Sequence, residues 1–326
     1  MTAETAPVKR KSSEGLIEVR LTAILYAARD TNIYELTALG GISLPSYQPG
    51  AHIDVHLPNG LIRQYSLIDP DGGGTSYRIA VKRDPASRGG SRCMHDELRV
   101  GRSLEISAPR NNFALIEDAP HVLLLAGGIG ITPIWCMVQR LAKLGRSWTL
   151  YYASRSRVDM AFLQTLETMA GSQFHFDDEN AGNVLDVAGI IAQTPRDAHL
   201  YCCGPTPMLT AFEKATGDWP RAQIHVEYFT PRQETDKTGG FIVELARSGK
   251  EFVIPEGETI LQVLLDAGVD VDYSCELGIC GACEQRVLAG IPEHRDAILT
   301  EEEQASNSKV MICCAGCKTE RLVLDL

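Results

Sequence analysis

Cys275-Glu-Leu-Gly-Ile-Cys280-Gly-Ala-Cys283, answered 30 residues later by Cys313, is the stretch around which this chain of 326 residues is organised. Three thiols at C-x4-C-x2-C spacing plus a distant fourth match the spacing of a plant-type 2Fe-2S cluster, whereas structural zinc sites use paired C-x2-C knuckles. A planar two-iron cluster needs one loop that folds round it, offers thiolates and backbone N–H groups, and leaves a ligand to come from elsewhere. Gly278, Gly281 and the small Ala282 suit a backbone that passes close to sulfur. Such a centre carries one electron, so the rest of the chain is read as the source of that electron.

Length and composition bound the reading. At 326 residues, 44% hydrophobic and 22% charged, the chain fits two or three globular domains. Lys9-Arg10-Lys11 runs into Ser12-Ser13-Glu14 with no apolar stretch of a signal peptide, so a cytoplasmic setting is expected, with the ten cysteines as ligands or core thiols. The apolar run Val122 to Val138 is broken by Gly127, Gly128, Gly130 and Pro133 and reads as a buried strand and turn, with no membrane partner. From Gly239 to Leu326 there are 16 Asp and Glu against 7 Lys and Arg, so −9 of the formal −11 lies in the cysteine-bearing segment. Nucleic acid is excluded as a partner of such a surface.

Residues 1–14 are polar and without periodicity, and disorder is expected there. From Leu16 short alternating runs follow, and Pro58-Asn59-Gly60 between Ile53–Leu57 and Leu61–Ile68 is a hairpin signal. Short strands with frequent turns predict an antiparallel barrel over 15–115. Within it, Arg63-Gln64-Tyr65-Ser66 presents a cation, an aromatic face and a hydroxyl along one strand. Arg88-Gly89-Gly90-Ser91 precedes a short predicted helix capped by Ser91, where free N–H groups suit a phosphate. A phosphorylated aromatic cofactor fits both.

Here the chain resembles the phthalate dioxygenase reductase family, flavin and iron–sulfur oxidoreductases that share their flavin module with ferredoxin–NADP reductases. The resemblance implies FMN, its phosphate held by Arg63 and the Gly89-Gly90-Ser91 turn. Tyr65 and Ser66 would lie beside the ring, and Gln64 and Lys82 join the cofactor-binding set. Its fold implication is multidomain: a β-barrel flavin domain, an α/β nucleotide-binding domain and an α+β (β-grasp) plant-type ferredoxin domain.

Over 116–229 the period changes. His121-Val-Leu-Leu-Leu-Ala is a central-strand run, followed by Gly127-Gly128-Ile-Gly130-Ile-Thr132-Pro133 and a helical pattern. Strand, glycine turn and helix bring a dinucleotide pyrophosphate onto backbone N–H groups, so Gly128, Gly130, Thr132 and Pro133 are candidates. Cys203-Gly204-Pro205 and Met208 resemble the family's nicotinamide side, with Cys203 as the matching cysteine. Glu227-Tyr228-Phe229 resembles the stretch closing its flavin site, so Glu227 and Phe229 are carried over. The resemblance makes Ser66, Cys203 and Glu227 the catalytic set. Ser154-Arg155-Ser156-Arg157 follows the second sheet strand, where a ribose 2′-phosphate is read. The resemblance favours NADH, and NADPH stays open.

Residues 230–238 read as a polar linker, and 239–326 as hairpin, helix, cysteine loop and final strand, the order of a plant-type ferredoxin. The family pattern selects Cys313 as fourth ligand with Cys275, Cys280 and Cys283, while Cys314 stays open. The expectation is an NADH-dependent reductase that moves electrons through FMN and a 2Fe-2S cluster to a partner. By resemblance that partner is the Rieske-type terminal oxygenase of an aromatic hydroxylating or O-demethylating system. A cytochrome P450 or other monooxygenase as acceptor is the alternative. A redox-sensing protein with incidental turnover is a third, separated by its negligible reduction of ferricyanide.

Overall fold

The computed structural model describes residues 15–326, and the expected disorder of 1–14 lies outside the described residues. The chain forms two compact units, 1–227 and 228–326. The first begins with β1 (Ile17–Ala28), β2 (Thr31–Ala38), β3 (His52–His56), β4 (Ile62–Ser66), β5 (Ser76–Lys82), helix α1 (Gly90–Asp96) and β6 (Ser103–Ile106). These strands make one antiparallel sheet in the order β4-β3-β6-β1-β2-β5. Its edges meet through the bridge Leu67↔Ile79, which curls the sheet into the expected barrel. Val19, Leu21, Leu36, Ile53, Val55 and Ile79 fill its interior, alternate residues of each strand facing in. The Asn59-Gly60 turn joins β3 to β4 as the sequence predicts, with Gly60 at φ 82°.

A parallel α/β layer follows in the same unit: β7 (Val122–Gly127), α2 (Ile131–Lys143), β8 (Trp148–Ser154), α3 (Leu163–Leu166), β9 (Ser172–Phe176), α4 (Val187–Ala192), β10 (His199–Cys203), α5 (Thr206–Ala215) and β11 (Ile224–Glu227). The strand order is β11-β10-β7-β8-β9, so β7 lies centrally, and every one of its residues is buried, which is why it reads as an unbroken apolar run. Among the described residues no helix is long and apolar enough to cross a membrane.

Helix α2 does two jobs. Ile134, Met137, Val138 and Leu141 bury against the sheet, each such side chain worth about 1.5–3 kcal/mol. Other side chains of the helix hold the barrel loop that follows β4: Gln139 Nε2 donates to the Ile68 carbonyl at 2.8 Å, Cys136 Sγ to the Asp69 carbonyl at 3.0 Å, and Lys143 pairs with Asp71 at 2.7 Å. The strand carrying Arg63 to Ser66 and the helix opened by the glycine turn are thereby tied together.

The second unit holds β12 (Phe241–Leu245), β13 (Lys250–Ile254), α6 (Ile260–Asp266), β14 (Glu284–Ala289), β15 (Pro292–Glu293), α7 (Glu301–Ser306), β16 (Lys309–Met311), β17 (Gly316–Cys317) and β18 (Arg321–Leu324). Its sheet runs β13-β12-β18-β14-β16, with β12 and β18 parallel and α6 among its core residues. Thr259 caps α6 by accepting from Gln262 N–H at 3.1 Å, and Gly268 at φ 75° follows its end.

Two local expectations change. Ser91 is not the cap of α1: Gly89 occupies that position in the left-handed region at φ 99°, and Ser91 Oγ turns back to accept from Asp84 N–H at 3.1 Å. Residues 230–238 are not a detached linker but belong to the second unit. Asp236 is buried, its N–H donates to the Cys314 carbonyl at 2.9 Å, and its carboxylate accepts from both Thr238 N–H and Thr238 Oγ1. Polar composition hid this strap because the group that anchors it, the Cys314 carbonyl, is 78 residues away.

Candidate electron-transfer sites

The cysteine loop is shaped by residues in left-handed conformation, Glu276 at φ 57°, Gly278 at 70° and Gly281 at 78°. Cys275, Cys280, Cys283 and Cys313 are all buried. The Cys275 thiol contacts those of Cys280 and Cys313, and Cys313 also contacts Cys283. The four thiols form one chain of contacts, Cys280–Cys275–Cys313–Cys283, with Cys314 also touching Cys313. A set of four converging sulfurs fits a 2Fe-2S group. Contacts from Cys280 and Cys313 push the Cys275 thiol well below its usual range, helped by N–H groups of Leu277 and Ile279. The Leu277 N–H lies 3.3 Å from Cys275 Sγ, a backbone donor aimed at sulfur as the loop was expected to supply.

Cys314 behaves differently. Its Sγ leans on the Met311 carbonyl at 3.7 Å, and a side chain at Gly278 would come within 2.6 Å of it. It packs against the underside of the loop, while Cys317 is half-exposed beside Thr319. The loop is further held by Ala297 N–H, which donates to the Gly278 carbonyl at 2.9 Å. Asp296 in turn accepts from Ile298 and Leu299 N–H at 3.0 and 2.7 Å.

On the barrel, Arg63 lies directly over Gly90: a Cβ there would stand 2.7 Å from Arg63 Cγ and Nε. A guanidinium beside the glycine start of α1 is a donor set that fits a phosphate; here the Gly89 N–H donates to Ser87 Oγ at 3.2 Å and Arg63 Nη1 to the Ile62 carbonyl at 2.7 Å. Tyr65 follows on the same strand face, its phenol pushed upward by burial. Ser66 is buried opposite His52. Gln64 is engaged elsewhere, its Nε2 donating to Asp54 Oδ1 at 2.8 Å, where Arg110 also pairs at 2.7 Å. Lys82 ends β5 opposite Thr31, and its charge acts on Asp159.

The nucleotide turn is built by close approach. At Gly130 a Cβ would lie 2.2 Å from the Cys203 carbonyl, and at Gly127 it would meet Pro205 and the Met208 sulfur at 2.5 and 3.0 Å. Glycines there let the ends of β7 and β10 meet, bringing Gly127 and Gly130 beside Cys203-Gly204-Pro205 and Met208, while Gly128 faces open space in left-handed conformation at φ 53°. Tyr152, which sequence reasoning missed, donates its phenol to the Gly128 carbonyl at 3.0 Å, and Thr132 Oγ1 bonds the Ile129 carbonyl. Thr132 and Pro133 are buried in the first turn of α2. Replacing Gly130 with alanine is expected to slow NADH-driven flavin bleaching by about 10- to 100-fold while bleaching by dithionite is unchanged, because the clash is with backbone. Equal rates with NADH in stopped flow would show that the strand ends tolerate separation.

Beside this turn, Cys203 pairs in register with Glu227. Glu227 keeps Oε2 buried without a hydrogen-bond partner, and burial lifts its carboxyl to about 8. Burial and the Glu227 charge raise Cys203 as well, so its thiol stays protonated. Phe229, carried over with Glu227, falls in the second unit and is 39% exposed.

Comparison with known proteins agrees with this inventory. Residues 243–318 match the 2Fe-2S iron-sulfur cluster binding domain, and residues 124–214 match the oxidoreductase NAD-binding domain. The chain is 49% identical to the tetrachlorobenzoquinone reductase of Sphingobium chlorophenolicum, covering 95% of this chain and 98% of that protein. It is 48% identical to the phenoxybenzoate dioxygenase subunit beta of Ectopseudomonas oleovorans, over 95% and 97%. Among solved structures, an intact type IV self-sufficient cytochrome P450 monooxygenase matches with TM-score 0.88 and 37% identity, covering 99% of this chain and 43% of that one. Phthalate dioxygenase reductase matches with TM-score 0.73 and 36% identity over 96% and 99%. With likeness extending over nearly the full length of both partners, the chain belongs to the phthalate dioxygenase reductase family of flavin and iron–sulfur oxidoreductases.

Proposed function

We propose that the chain is the reductase component of an oxygenase system, taking electrons in pairs from NADH and delivering them singly to a Rieske-type terminal oxygenase that acts on an aromatic compound. The observation that carries this reading is the presence in one chain of the Gly130–Cys203 nucleotide turn, the Arg63–Gly90 cradle and the four converging cysteines. When bound, FMN and the 2Fe-2S cluster supply the conversion between a two-electron donor and a one-electron acceptor.

The protein's own contribution is position and charge. Arg63 neutralises the flavin phosphate, and the glycines of the β7 turn let the dinucleotide approach. The protonated Cys203 thiol packs without adding charge, and the neutral Glu227 carboxyl holds a proton beside it. Cys275, Cys280, Cys283 and Cys313 ligate the irons, with Cys314 as packing.

The test is an anaerobic NADH titration followed by visible absorbance and low-temperature EPR, with the released flavin identified chromatographically. Bleaching of the flavin, a reduced 2Fe-2S signal and free FMN are expected. Bleaching without the iron–sulfur signal in protein holding two irons and two sulfides would break the serial path. Arg63→Ala is expected to weaken FMN retention by about 10- to 150-fold, the worth of one charge-assisted contact of about 1.5–3 kcal/mol. Flavin fluorescence on dilution reads it, and unaltered retention would remove Arg63 from the phosphate.

A cytochrome P450 as acceptor is the second reading, favoured by the match of 99% of this chain to under half of a self-sufficient cytochrome P450 monooxygenase. Turnover with each class of purified acceptor separates the two.

A further inference from the structure

We infer that Glu167 and Glu179, by holding the guanidinium of Arg157, make the nucleotide site select a free ribose 2′-hydroxyl over a 2′-phosphate; this rests on the reading of the β7–α2 turn as the dinucleotide site. In open α/β sheets the adenosine ribose lies beyond the carboxyl end of the strand that follows the glycine turn, and an arginine placed there takes up a 2′-phosphate. In this chain that strand is β8, which ends at Ser154 and runs on as Arg155-Ser156-Arg157. Read as sequence, the tetrad is a phosphate receptor.

The structure commits Arg157 and Ser156 elsewhere. Arg157 Nε donates to Glu179 Oε1 at 2.7 Å and its Nη1 to Glu167 Oε1 at 3.2 Å, while its guanidinium lies 4.4 Å over the Phe176 ring. Both edges and one face of the fork are therefore in use. Ser156 Oγ donates to Asp159 Oδ2 at 2.7 Å, and Asp159 is itself gripped by Arg29 at 2.8 and 2.6 Å, which pins the loop to the barrel. Ser154 is buried. The neighbouring strand β9, with Phe176 in register with Ser154, continues as Asp177-Asp178-Glu179, and Asp178 N–H donates to the Arg155 carbonyl at 3.1 Å. Arg155 and Arg157 are both exposed, and Arg155 stands next to a carboxylate run.

Arg157, Glu167 and Glu179 are about half exposed, at 53%, 47% and 48%, so neither ion pair is strong by itself. Their effect is one of local charge. A 2′-phosphate must take Arg157 from two carboxylates and then sit against both, whereas a ribose hydroxyl adds no charge.

The test uses the holoenzyme with ferricyanide as acceptor and compares kcat/KM for NADH and NADPH in the parent, in Glu167→Gln, in Glu179→Gln and in the double variant. Flavin and cluster absorbance report folding of each. The expected result is a parent that prefers NADH. The double variant should gain about tenfold or more in kcat/KM for NADPH, chiefly through KM, with NADH changed less than about threefold. Adding Arg157→Ala to the double variant should remove the gain. An unchanged NADPH kcat/KM in the double variant, or a gain that survives loss of Arg157, overturns this inference alone. If neither nucleotide bleaches the flavin in the parent, the reading of the nucleotide site is overturned, and this inference with it.

Discussion

Replacing Cys280 with serine should abolish NADH-driven reduction of cytochrome c while ferricyanide is still reduced through the flavin. The Cys280 thiol is buried and in contact with that of Cys275, so the substitution removes one member of a pair rather than a peripheral sulfur. A hydroxyl is a much poorer donor to iron than a thiolate, and the cluster would be lost or incomplete. The barrel and the α/β layer belong to the other compact unit, so flavin content and bleaching by NADH should be retained. The reduced EPR signal and acid-labile sulfide should vanish together. Cytochrome c reduction at the parental rate in protein shown to lack the cluster would mean that electrons leave from the flavin, and the serial path would be wrong.

The second large effect concerns pH. Burial raises the Glu227 carboxyl from its ordinary 4.5 to about 8, so the folded chain keeps a proton that the unfolded chain releases. The stability this gives is full below about 4.5 and is lost progressively as pH rises through about 8. His225 works in a separate window. Burial lowers it to about 4, so its contribution is present above its ordinary 6.5 and is lost as pH falls towards 4. Between pH 6.5 and 8 the slope therefore reports Glu227. Glu227→Gln should flatten that slope and be more stable than the parent at pH 8.5 by on the order of 3–5 kcal/mol. Thermal denaturation followed by flavin release across this range measures it. Glu227→Gln should also lose the inflection near pH 8 in the rate of flavin bleaching by NADH. Parallel stability curves for parent and variant would show that the carboxyl is solvated.

Much of the fold was legible because its signals are local. The Asn59-Gly60 hairpin, the buried β7 run and the glycine turn before α2 each depend on residues within a few positions of one another. Where a local signal competed with a distant partner, it misled. Ser91 looks like a cap beside two glycines, yet Gly89 in left-handed geometry already performs that role and Asp84 N–H occupies the hydroxyl. Residues 230–238 look like solvated chain, yet Asp236 is anchored by the carbonyl of Cys314. The tetrad after β8 looks like an anion receptor, yet Arg157 is taken by two glutamates from other segments. Tyr152 carries no mark in the sequence of its bond to Gly128.

By itself the sequence determined the order of modules, the C-x4-C-x2-C ligand loop and the glycines of the two phosphate turns. Ligation spacing and turn geometry are short-range constraints, set by covalent distance and by which residues accept a left-handed backbone. Only the tertiary structure brought Cys313 onto Cys275 and Cys283, made Glu227 a neutral acid, and set Arg157 between two glutamates. Those outcomes depend on desolvation and on charges brought close from remote segments, and neither quantity exists until the chain has packed.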